Sequence, residues 1–122
     1  VGDRLDTDIA GGVAAGMPAL HVLTGVSGPH ALLQAPPKHR PTYIAADMRG
    51  LSVSPEALVP GAQEGFAARI DGSAIVLSGG NPGASSLAAL RTALDVAWRQ
   101  PEPPADVRAE SDDAAVAVAK WW

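Results

Sequence analysis

Short apolar runs broken by Gly, Pro and Asp run the length of the chain, and their spacing changes character near the middle. Val1-Gly2-Asp3 reads as the last residue of a strand followed by a turn. Thr7 to Ala15 predicts a short helix, with Thr7 as N-cap, Asp8 in the first turn and Ile9 and Val13 four apart on one face. Gly16 stands where a left-handed C-cap belongs. Ala19 to Thr24 is short and mostly apolar, which suits a buried parallel strand. Strand end, helix and strand make most of a βαβ unit. After a turn at Gly25 to Gly28, Pro29 to Gln34 predicts one or two helical turns, and Ala35 to Pro41 a loop carrying Lys38, His39 and Arg40. Thr42 to Ala46 predicts another short strand, with Met48 and Leu51 packing as the chain leaves it.

Ser52 to Gly65 contains Pro55, Pro60, Gly61 and Gly65 with little periodicity, and is expected to be a linker. Beyond it the pattern is that of a small α+β unit, residues 66 to 122. Phe66 to Ile70 and Ser73 to Ser78 flank Asp71-Gly72, a strong hairpin signal. A helix follows the turn at Gly79 to Gly83, with Leu87, Leu90, Leu94 and Trp98 on one face. Pro101 to Pro104 stops it, and Val107 to Ala109 reads as a strand. Ser111 would cap a last helix with Asp112 and Asp113 in its first turn; an edge strand over the last nine residues is the other reading.

Composition removes several classes of function. The 122 residues carry a net charge of −4, without the basic footprint that phosphate backbones demand, so a nucleic-acid binder is not expected. Cysteine is absent, which excludes disulfide scaffolds, thiolate zinc sites and cysteine nucleophiles. No apolar run reaches the ~18 residues of a membrane span, and Asp3, Asp6 and Asp8 stand where a signal peptide would be basic. A cytoplasmic protein is the expectation. The most informative stretch opens at Val1, so the chain is expected to be the carboxy-terminal part of a longer protein.

That stretch is Val1 to Ile9, VGDRLDTDI. A carboxylate just past a strand end occupies the usual ligand position of an open α/β sheet. Asp8, five residues after Asp3, is placed to turn back to the same pocket. Two hard oxygen donors suit Mg²⁺, which takes one or two carboxylates and keeps several waters. From spacing alone, an acidic helix start that complements the dipole is the simpler reading.

The stretch VGDRLDTDIAGGVAAGMPALHVLTGVS resembles the fourth motif of the haloacid dehalogenase (HAD) superfamily, in the large-cap phosphatase branch that includes p-nitrophenyl and phosphoglycolate phosphatases. Both acids and the strand ending in Leu23-Thr24-Gly25-Val26-Ser27 match in register, and Pro41-Thr42-Tyr43-Ile44 with Met48 and Leu51 is similar to the last strand and helix of that fold. The resemblance covers residues 1 to 51. It implies the carboxy-terminal part of a Rossmann-like α/β core and hydrolysis of a small phosphomonoester through an aspartyl-phosphate, with Mg²⁺ as cofactor. It makes Asp3 a direct metal ligand, and Asp8 the holder of a metal-bound water or of the loop. The superfamily's nucleophilic Asp-x-Asp-Gly motif, its second and third motifs and its cap have no counterpart in these 122 residues. No catalytic nucleophile is assigned here, and the segment alone is expected to be inactive. Its expected partners are the missing amino-terminal part of the enzyme and a small phosphorylated metabolite; substrate-contacting residues and oligomeric state stay open.

Some phosphatases of this branch, notably those acting on glycerol 3-phosphate, carry an appendage similar to a truncated acetyltransferase. Residues 66 to 122 are compatible with that, but Gly79-Gly80-Asn81-Pro82-Gly83 lacks a P-loop Lys and Rossmann spacing, so a plain turn is the better reading. His21, His30 and His39 show no metal-ligand spacing, His21 reading as a core histidine and His39 as part of a solvated loop. Trp121-Trp122 reads as a packing anchor. The alternative function is a non-catalytic binding or regulatory module that keeps a phosphatase-like edge.

Overall fold

A computed structural model describes residues 1–25 and 27–122. It is a mixed α/β protein dividing into two compact units, Val1–Val59 and Pro60–Trp122. Val26 of the Thr-Gly-Val turn lies outside the described residues.

The first unit is built on parallel pairing. β1 (Leu20–Val22) pairs in parallel with β2 (Tyr43–Ala45), and Gly2 bridges in parallel to His21 on the other side of β1. Gly2 donates to the Leu20 carbonyl at 3.0 Å and accepts from the Val22 amide at 2.9 Å, so Asp3 leaves the sheet at its carboxyl end. Side chains alternate across the strands. Leu20, Val22 and Ala45 fill one side together with Leu58 and the partly buried Tyr43. All three residues of β1 are buried, as a parallel strand covered on both faces requires.

The helix after Asp3 begins earlier than its sequence suggests. A π-helical turn at Leu5–Ile9 runs straight into α1 (Ala10–Ala14). Thr7 therefore lies inside the helix, and the side chain of Arg4, the residue at the N-cap, makes no capping bond. Burial decides this start: Leu5 and Ile9 are the turn's two buried residues. The C-terminus is as expected, with Gly16 at φ +71° and paired bonds from Gly16 to Val13 and from Met17 to Gly12. α2 (Pro29–Leu33) buries Leu32 and Leu33. Short 3₁₀ turns follow at Pro37–His39 and Met48–Ser52. Within the stretch expected to be a linker, α3 (Pro55–Leu58) forms a single helical turn, and its Leu58 joins the core of the first unit. Proline at the first helical position explains the turn, and a leucine that gains burial explains why it stays.

The second unit is a three-stranded sheet under two longer helices. β3 (Phe66–Asp71) pairs antiparallel with β4 (Ala74–Gly79), and β5 (Asp106–Ala109) joins β4 in parallel. β4 is thus central, and Ala74 to Leu77 are all buried. The hairpin turns on Gly72-Ser73, one residue later than expected. Asp71 pairs with Ala74, and Gly72 alone takes a positive φ (61°), the pattern of a II′ turn. α4 (Ser86–Ala97) crosses from β4 to β5, and α5 (Asp112–Trp121) closes the chain. Ser85 and Ser111 cap these helices, each hydroxyl accepting from the amide three residues on at 3.1 Å. The last segment is therefore a helix and not an edge strand.

The buried face of α4 is wider than the expected leucine stripe. Leu90 and Leu94 are fully buried, whereas Leu87 and Trp98 are only half-buried. Ala88 and Ala89 meet Phe66, Leu77, Ala114 and Ala117 in one cluster. Small alanines let α4, α5 and the hairpin approach closely, so the contact is centred on alanines. Trp121 ties the two helices together by donating to the Ser86 carbonyl at 2.6 Å.

Candidate functional site

Asp3 follows Gly2 where the chain leaves the sheet, and Asp8 comes back to the same glycine. Asp3 is half-buried and Asp8 exposed. The Asp8 side chain folds back over Gly2: a Cβ at position 2 would overlap the Asp8 Cβ and come within 2.8 Å of its Oδ2. On the other side the Thr24–Gly25 turn closes over Asp3. A Cβ at position 25 would fall on the Asp3 carboxylate itself, so only glycine lets the turn approach this far. No hydrogen bond or ion pair among the described residues takes either carboxylate.

The backbone around Asp3 is held firmly. Ser27 donates its amide to the Asp3 carbonyl at 3.0 Å, and its hydroxyl accepts from the Leu5 amide at 3.1 Å. The Ser27 carbonyl in turn accepts from His21 Nε2 at 2.9 Å. His21 is fully buried on β1, and burial holds its pKa below the usual value of 6.5, against the bond to Ser27 and the charges of Asp3 and Asp8. Its Nδ1 has no hydrogen-bond partner among the described residues, so within them this core histidine is only half satisfied.

The neighbouring acid belongs elsewhere. Arg4 Nε donates to Asp6 Oδ1 at 2.7 Å. That hydrogen bond raises the Arg4 pKa and lowers that of Asp6. Both are exposed, so the pair adds little to stability. Arg4, Asp6, Ser27, Gln34 and His39 line a cleft of about 260 Å³. Within the basic loop, Arg40 is half-buried and donates to the Ala35 carbonyl at 3.0 Å, so it is not freely solvated. His30 is exposed, and no group of three or more His, Asp or Glu able to hold a metal forms among the described residues.

The glycine-rich turn before α4 is filled from within the chain. Glu64 Oε1 accepts from the Ser85 amide at 3.1 Å, and Oε2 from the Ser85 hydroxyl at 3.0 Å. The Glu64 backbone takes a left-handed conformation (φ 51°), and its carbonyl accepts from Asn81 at 2.7 Å. The end of α4 that a soluble anion would favour thus already holds a carboxylate. Spacing in the sequence gives no sign of this, since Glu64 and Ser85 are 21 residues apart. Asp3 and Asp8 follow directly from a strand end and the helix after it, whereas Gly25, Ser27 and His21 reach the site only through a loop return. The Thr-Gly turn was the one hint of it.

The HAD-hydrolase-like family model matches residues 1–51. The chain is 46% identical over 77 residues to the D-glycerol 3-phosphate phosphatase of Mycobacterium tuberculosis, a match covering 63% of this chain and 22% of that protein. The crystal structure of a glycerol phosphate phosphatase from Mycobacterium tuberculosis in complex with magnesium superposes with a TM-score of 0.86 at 34% identity, covering 98% of this chain and 35% of that one. A second structure of that enzyme, in complex with calcium, superposes equally well and is covered to 37%. The chain thus spans about a third or less of the length of the relatives it matches.

Proposed function

We propose that the chain, whose residues 1–51 match the HAD-hydrolase-like family model, is the carboxy-terminal part of a Mg²⁺-dependent phosphatase acting on glycerol 3-phosphate or a similarly small phosphomonoester. The observation that carries this reading is a pair of carboxylates at the sheet's carboxyl end that no hydrogen bond or ion pair among the described residues takes, one of them cradled by a turn that only glycine permits.

The donor set fits the metal. Both groups are hard oxygen donors, and Mg²⁺ needs no more than one or two carboxylates from a protein. The magnesium and calcium complexes of the related enzyme support a site of this chemistry. Asp3 would hold the ion directly, and Asp8, more exposed and folded back over Gly2, would hold a metal-bound water or the loop. When bound, the ion supplies charge neutralisation for the oxygens of the phosphoryl group. Gly2 is held by β1 before Asp3, and Ser27 fixes the main chain after it at the Asp3 carbonyl and the Leu5 amide, so the carboxylate is oriented before any ligand arrives. The nucleophilic aspartate comes from outside these residues, so the segment alone turns over nothing.

Replacing Asp3 tests the reading. In the intact enzyme, D3N removes the charge of a direct ligand. Mg²⁺ affinity, measured by calorimetry, should fall at least ~10-fold, because even partners one layer further out cost that much, and glycerol 3-phosphate hydrolysis should fall with it. An unchanged affinity together with unchanged hydrolysis would refute the assignment and favour the non-catalytic module.

A further inference from the structure

We propose that His21 is a positioning residue for the Asp3 carboxylate, acting through Ser27; this rests on the reading of Asp3 as a metal ligand. His21 sits at the centre of β1, fully buried between the buried Leu20 and Val22. An apolar side chain would suit that position at no polar cost, whereas the imidazole leaves Nδ1 buried without a partner. What the imidazole gains is one bond, Nε2 to the Ser27 carbonyl at 2.9 Å. A carbonyl only accepts, so Nε2 carries the proton and the lone pair lies on Nδ1.

The bond is placed where it controls the site. Ser27 is held at three points: its carbonyl by His21, its amide against the Asp3 carbonyl and its hydroxyl against the Leu5 amide. Two of these grip the chain immediately after the Asp3 side chain, at the Asp3 carbonyl and at Leu5. Gly25, two residues before Ser27, presses directly on the Asp3 carboxylate and leaves no slack there. The position of Ser27 therefore sets both the main chain at Asp3 and the turn that walls in its carboxylate. His21 is the only one of the three anchors that comes from the sheet, so it ties the loop to the rigid part of the unit. This is the role that outer partners play in orienting a metal ligand.

The experiment compares H21L, H21Q and D3N in the intact enzyme, with Mg²⁺ affinity read by calorimetry and apo stability by thermal unfolding. H21L keeps the bulk and removes the donor, and should weaken Mg²⁺ binding by ~10-fold, the low end of the range for outer partners. H21Q carries an amide nitrogen to nearly the place of Nε2 and should recover most of that loss. D3N should lose more affinity than either. A folded H21L with wild-type Mg²⁺ affinity would overturn the inference, as would equal losses in H21L and H21Q. If H21L fails to fold, S27A takes its place: it removes the anchor to Leu5 and leaves the core untouched, and an unchanged affinity in S27A would overturn the relay. An unchanged affinity in D3N strikes instead at the metal reading on which the relay depends.

Discussion

The two units solve the same problem, covering a small sheet, by different means. The first uses strands of three residues, a five-residue π-helical turn and helices of five residues or fewer. Its loops are held by hydrogen bonds at Ser27, His21 and Asp47. The second uses a six-residue hairpin and helices of 12 and 10 residues, each closed by a serine cap. In the first, the Asp3 and Asp8 carboxylates have no partner among the described residues; in the second, the start of a helix is filled by Glu64. A unit that keeps polar groups open for a ligand gives up stability there, and a unit that satisfies them internally does not.

Separating the units gives the largest expected effect. Residues 60–122 contain a complete hairpin with two packed helices and should unfold cooperatively alone. Residues 1–59 contain parallel strands that need neighbours on both sides and should show no sigmoidal thermal transition by circular dichroism. A sharp transition from 1–59 would break the comparison. Next in size is L90A. Leu90 is fully buried in α4, and its truncation should cost ~2–5 kcal/mol in denaturant unfolding. Mg²⁺ affinity per folded molecule should be unchanged; a lowered affinity would mean that the second unit shapes the site.

Caps sharpen the contrast further. S111A removes a hydroxyl that accepts from Ala114 and also donates to the Gly79 carbonyl, and should cost ~0.5–2 kcal/mol. T7A should change stability little, because Thr7 caps nothing. Equal losses would contradict the early start of the first helix. The smallest effect concerns pH. All three histidines lie in the first unit, and the His21 pKa is lowered by burial. The unfolded chain therefore takes up the proton first. Stability is full above about pH 6.5 and declines as the pH falls below it, towards the folded value. The unfolding midpoint of wild type should rise relative to that of H21L as the pH goes from 5 to 7; parallel profiles would show that His21 is not held neutral.

The sequence announced features whose causes are local. Gly16, Ser111, the hairpin and the apolar strands each carry their signal within a few residues, and Asp3 and Asp8 are fixed in place by a strand end and a helix that follow one another directly. Misplaced boundaries came from competition between local and tertiary terms. Thr7 has the chemistry of a cap, but burying Leu5 draws the helix two residues further back. Leu87 and Trp98 have the spacing of a core stripe, but alanines at 88 and 89 give the closer packing. The hairpin slipped by one residue because Asp71 pairs with Ala74, leaving Gly72 to take the positive φ alone. The cradle around Asp3 was not legible, because its bonds span 22 residues between Leu5 and Ser27. Glu64 was hidden for the same reason.

The Glu64 carboxylate on Ser85 bears on what the second unit can recognise. A tethered group competes with dissolved ones at its effective concentration, of order mM even for a flexible short link, and here the link is only the chain's own fold. A phosphate or pyrophosphate arriving from solution would have to displace a competitor that never diffuses away, while meeting its negative charge. Electrically, the start of α4 is already saturated.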